Sequence, residues 1–145
     1  MEVIKIILAA ITGTSVMTIF SYIMAYIKND QFKEPQLLNI LINNSETIPL
    51  KYSKTGPVGW IAHYVIGTLM YLSFAILWNF TELDVSWISA AFLGIGAGII
   101  GIAGWHLMFY LNARPPEVNL NGFSIQLMIA HLIFSLSGFL VYFYW

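Results

Sequence analysis

Long apolar runs separated by brief polar ones make up almost all of this chain. Four stretches carry no Asp, Glu, Lys or Arg: Ile6–Ile27 with 22 residues, Thr55–Thr81 with 27, Val85–Ala113 with 29 and Val118–Trp145 with 28. A helix rising about 1.5 Å per residue crosses a hydrocarbon core about 30 Å thick in roughly 20 residues. Each stretch is long enough. The pattern predicts an all-α, polytopic membrane protein with four antiparallel transmembrane helices near residues 3–27, 57–80, 86–111 and 121–145. Together they are expected to form a single four-helix transmembrane domain spanning residues 1–145.

Breaks between the runs add detail. Thr81–Val85 is short enough to be a tight turn, so the second and third spans are expected to be neighbours. Arg114-Pro115-Pro116 cannot be helical before its prolines and reads as a stiff step. Pro57 suits the first turn of the second span, where its missing N–H costs no hydrogen bond. The long connection, 28–56, contains Pro35 followed by Leu37, Leu38, Ile40, Leu41 and Ile42, then Asn43-Asn44. This predicts a short helix near 35–43, lying interfacially in the headgroup region or on the bundle.

Composition strengthens the class assignment. Hydrophobic residues are 59% of the chain and charged residues 9%, against about 25% charged in soluble domains. So few charges leave no surface to dissolve a globular domain. The net charge of −1 provides no basic footprint for nucleic acid. The lack of cysteine excludes disulfides, thiolate metal sites and cysteine nucleophiles. The first apolar run lacks a basic leader and an Ala-x-Ala site, so it reads as a retained helix rather than a signal peptide.

Charge also predicts orientation. Lys28, Lys33, Lys51, Lys54 and Arg114 fall on one side of a four-span bundle and Lys5 on the other. By the positive-inside rule, the 28–56 loop faces the cytoplasm and both termini face outside, as expected in a bacterial inner membrane. Asn43 and Asn79 begin Asn-x-Ser/Thr matches, but both lie close to the predicted membrane and are discounted.

Candidate chemistry is sparse. The third span is rich in small residues, and Gly94, Gly98 and Gly101 read as helix-packing positions, because close backbone approach drives association in lipid. His63, His106 and His131 are placed by helical rise about 9, 7 and 15 Å from one face. Titratable rings in hydrocarbon are expected to face the bundle interior. Three imidazoles at comparable depth could ligate haem, hold a divalent metal, or relay a proton. Interhelical hydrogen bonding is the simpler alternative. Thr18, Gln126 and Arg114 are candidate supporting residues, with Gln126 a partner for His131 or Arg114.

No span contains a carboxylate, so proton-coupled export through one is not expected. No nucleophile elbow, HExxH or phosphate loop occurs. Size and span count resemble the glutathione-handling four-helix membrane enzymes, but their Glu-Arg…Asn signature is missing. The strings Gly13-Thr14-x-x-Met17-Thr18, Lys33-Glu34-Pro35-x-Leu37-Leu38-Asn39 and Ala130-His131 resemble stretches of small bacterial membrane proteins, a likeness that implies no activity. The expected function is a non-catalytic membrane subunit or small-cofactor binder using its histidines for haem or metal. The alternative is a small oligomeric transporter or channel with a Ser/Thr/His-lined interior. The expected partners are the lipid bilayer and a homo-oligomer or larger membrane complex.

Overall fold

A computed structural model describes residues 2–45, 51 and 53–145; the part of the long loop at 46–50 and 52 lies outside the described residues. Five helices follow one another: α1 (Glu2–Lys28), α2 (Glu34–Asn43), α3 (Pro57–Phe80), α4 (Trp87–Leu111) and α5 (Leu120–Tyr144). Four of them are long and apolar enough to cross a membrane. The predicted spans agree with these to within about two residues, which is the usual uncertainty of a helix end.

Local chemistry explains the boundaries. Asn29, at φ 52°, takes the left-handed conformation that ends α1. Ser86 accepts a hydrogen bond from the Ser89 backbone N–H and starts α4, while Asn119 accepts from the Gly122 N–H and starts α5. Gly56, ahead of α3, has no side chain to cap with. Asn39 of α2 does this instead: its Oδ1 accepts from the Gly59 N–H at 2.8 Å, and its Nδ2 donates to the Gly56 and Lys54 carbonyls.

α5 packs closely against both α1 and α4, α1 also packs on α3, and α2 packs on α3. Side-chain contacts give the register. Gly138 lies against Ala9, Gly13 against Phe134, and Gly67 against Thr14. Gly94, Gly98 and Gly101 face Ser135, Met128 and the His131 ring, so the small-residue face of α4 is covered by α5 of the same chain. Gly96 and Gly104 meet nothing. The short turn keeps α3 and α4 adjacent, with Trp78 Nε1 donating to Ser89 Oγ at 2.9 Å. Beyond it, a groove of about 480 Å³ separates them, lined by residues such as Leu69, Phe74, Phe92 and Gly96. Large side chains fill the α3–α5 interior: Tyr71, Phe74 and Trp78 meet Phe134, Phe139 and Tyr142 there in mostly edge-on and tilted ring contacts.

α2 is no surface strap. Glu34, Pro35, Leu37, Leu38, Asn39 and Leu41 are all buried. Leu37, Leu38 and Leu41 join Trp105, Phe109, Phe123 and Leu127 in a second apolar core at one end of the bundle. Its far end is tied down by Asn112 donating to the Leu41 carbonyl and Asn44 donating to the Arg114 carbonyl. The outside of the bundle is apolar: Ile19, Leu69, Phe92 and Ile100 are each about 60–70% exposed. The inside holds Thr14, Thr18, Ser21, His63, Gln126, His131 and Ser135. An exterior this apolar is the reverse of that expected in water.

Candidate functional site

A cavity of about 210 Å³ lies between α1, α3, α4 and α5, with α2 closing one end. Its walls are mainly apolar, including Met17, Met70, Met108, Trp105 and Phe134. Four polar side chains reach it: Thr14, Glu34, His63 and His131. Gly67, Gly101 and Gly104 line it, and of the three only Gly104 faces open space. Ile66, Met70 and Ile100 line both this cavity and the α3–α4 groove, so these three side chains form the partition between the cavity and the apolar exterior.

The two histidines are held in defined tautomers by their partners. Thr18 donates its hydroxyl proton to the Thr14 carbonyl at 2.6 Å. Its oxygen can then only accept from His63 Nε2, 2.9 Å away. In the neutral ring the proton is therefore on Nε2, and Nδ1 carries a free lone pair. His131 Nδ1 lies 2.8 Å from the Leu127 carbonyl, which only accepts, so Nδ1 carries the proton and Nε2 the lone pair. Neither remaining nitrogen has a hydrogen-bond partner among the described residues. The His131 ring fills the space left by the missing side chain of Gly101.

His106 is not part of this site. It is exposed on the outside of α4, and its Nε2 pairs with Ser124 at 3.0 Å. Similar depth did not bring the three rings together, because α4 turns His106 away from the interior while presenting Gly101, Gly104 and Trp105 to it. Among the candidate supporting residues, Thr18 takes that role. Gln126 instead donates to Ser21 at 2.6 Å and to Glu34 at 3.4 Å, touching neither His131 nor Arg114. Arg114 is exposed and is held through its backbone, its N–H donating to Asn112 Oδ1 and its carbonyl accepting from Asn44 Nδ2.

Glu34 is the residue that sequence reasoning overlooked. It is 1% exposed and lines the cavity. Oε1 accepts from Ser21 Oγ at 2.6 Å, but Oε2 is buried without a partner. Burial pushes its carboxyl up to about 7, outweighing the hydrogen bonds from Ser21 and Gln126 that favour the charged form. Thr14 Oγ1 and Gln126 Oε1 are also buried and unpaired. The uncharged stretches of the spans hold no carboxylate, as read from the sequence, but the loop helix packs one against them. The available signal was a Glu directly before Pro at the start of an apolar segment, a position equally suited to a solvated helix N-terminus.

No group of three or more His, Cys, Asp or Glu side chains placed to hold a metal occurs among the described residues. No family model, curated protein or solved structure matches the chain.

Proposed function

We propose that this chain is a multi-pass integral membrane protein that binds a small molecule in the cavity between His63 and His131, as a non-catalytic binding protein or subunit. In this reading the four long helices run antiparallel across the bilayer as one domain. α2 sits at the cytoplasmic interface, and both termini face outside. The inverted polarity of the bundle supports membrane embedding. The observation that carries the binding function is the pair of histidines that line the same cavity, each with one nitrogen fixed by the protein and the other without a partner among the described residues.

Size and donor set favour a small organic ligand over the cofactors first considered. The cavity is below the roughly 300–1,000 Å³ of pockets for drug-sized molecules, which speaks against a porphyrin. Two histidines without a third preorganised donor are a poor fit to a divalent metal. The lateral groove favours a second reading, in which an oligomer moves a solute taken from the bilayer.

The test uses detergent-purified protein with toluene-sized probes, alongside pigment and metal analysis. Gly104→Leu fills the cavity from a position where an added side chain meets open space. A probe should raise the melting temperature of the wild type by several degrees and that of Gly104→Leu by none. Equal responses from both proteins would refute a ligand site here. A stoichiometric haem or metal that is lost on replacing His63 and His131 would overturn the choice of ligand. Solute uptake into vesicles, blocked by Gly104→Leu, would promote the transport reading.

A further inference from the structure

Most of the polar groups on the residues that line the cavity have an unpaired acceptor, the donor-only indole N–H of Trp105 being the exception. Glu34 Oε2 and Thr14 Oγ1 are buried with no partner, and the free nitrogens of His63 and His131 are lone pairs in the tautomers their partners impose. No Lys or Arg pairs with the Glu34 carboxyl among the described residues; its partners are Ser21 and Gln126, both neutral. The nearest cation in sequence, Lys33, is turned over the Tyr22 ring, 5.4 Å from its centroid. A buried carboxylate without a counter-ion is strongly disfavoured, whereas one that meets a cation in an apolar site is not. The rest of the wall is apolar and aromatic, with Trp105 and Phe134 available to an alkyl or aryl group or to the face of a cation.

We infer that the ligand is a small lipophilic amine, bound as its ammonium ion with Glu34 as counter-ion and entering between α3 and α4 from the bilayer. This rests on the small-ligand reading above and names its chemical class. An alkylammonium offers three donors, and Glu34 Oε2 with the unpaired nitrogens of His63 and His131 are acceptors on the residues around the cavity. The volume is sufficient, since an engineered cavity of about 150 Å³ holds benzene and this one is about 210 Å³. On this route the ligand passes between the side chains of Ile66, Met70 and Ile100, which stand between the cavity and the groove.

Binding is coupled to protons. Where the carboxyl is protonated, the ammonium displaces one proton: the carboxylic acid becomes a carboxylate paired with the ammonium, and the proton leaves to solvent. Burial holds the Glu34 proton up to about pH 7, so affinity should rise with pH up to that point and then level off. The other titratable groups facing this region are Tyr22 from α1, His63 from α3 and His131 from α5; α4 presents none to the cavity.

Benzylamine, benzyl alcohol and toluene, titrated into the full-length protein in detergent, separate the possibilities. At pH 8 benzylamine should bind at least tenfold more tightly than the alcohol. Below pH 7 that advantage should shrink roughly tenfold per pH unit, with one proton released per amine bound. Glu34→Gln should lose the preference for the amine over the alcohol. The wild-type pH profile carries the same information should that variant fail to fold. If the alcohol and toluene bind as tightly as the amine at every pH, the amine assignment is wrong and the small-ligand site survives. If no probe binds, the cavity holds only water and both readings fall.

Discussion

Glu34 shows how one residue can change the character of an interior. As part of a loop it would be an ordinary solvated carboxylate. Placed by α2 against Ser21 and Gln126, it becomes a titratable group in a site otherwise furnished with neutral acceptors. The linkage to stability has a definite sign. Its carboxyl is raised from 4.5 to about 7, so the folded chain holds the proton more tightly than the unfolded chain does. Its contribution to stability is complete below about pH 4.5 and declines as pH rises to about 7. At about 1.4 kcal/mol per pH unit, the loss over that window is about 3 kcal/mol. Unfolding in mixed micelles from pH 4.5 to 8 should show this decline in the wild type relative to Glu34→Gln. Parallel profiles for the two proteins would mean that Glu34 is not held protonated by the fold.

At the scale of the element, α4 has two faces that composition alone cannot separate. Five of its residues are glycine. Gly94, Gly98 and Gly101 lie under α5, while Gly96 and Gly104 meet nothing within 4 Å. A methyl group added at Gly94 would come within 3.1 Å of the His131 carbonyl and 2.9 Å of Ser135 Cβ, and backbone cannot yield as a flexible side chain can. Gly94→Ala should therefore destabilise the bundle by about 1–3 kcal/mol, whereas Gly96→Ala should be neutral or slightly stabilising. Gly98→Ala should fall between them, because its contact is the mobile Met128 thioether. Resistance to SDS-induced unfolding measures the series. Comparable losses at Gly94 and Gly96 would argue that α4 packs through another face, as in a homo-oligomer.

Considered as a whole, the molecule concentrates its charge at one end. The five-to-one division of Lys and Arg predicts that the α2 end faces the cytoplasm and both termini the outside. Lys5, the exception, lies 4.6 Å from the centroid of the Tyr142 ring at the opposite end. Because the chain has no cysteine, a cysteine added after Trp145 is a unique label. In intact cells a membrane-impermeant maleimide should modify it. Labelling only after the inner membrane is opened would reverse the orientation, and the proton that Glu34 exchanges would then be drawn from the other compartment.

Helix number, type and limits were legible in the sequence because they depend on local properties. An uncharged run has to bury its backbone polar groups in its own helix whatever surrounds it, and prolines and asparagines mark where it can stop. The small-residue face of α4 follows from the same one-dimensional reasoning. What the tertiary structure alone decided is which side chains share a space. Depth along a helix is fixed by residue number, but direction around the bundle is fixed by neighbours, so His106 at a suitable depth points out while Gln126 reaches Ser21 and Glu34 rather than a histidine. The entry of a loop carboxylate into the bundle depends on α2 being gripped by Asn39, Asn112 and a cluster of aromatic residues more than sixty positions downstream. Such long-range packing leaves no periodic trace in a chain, because the residues that meet carry no shared spacing.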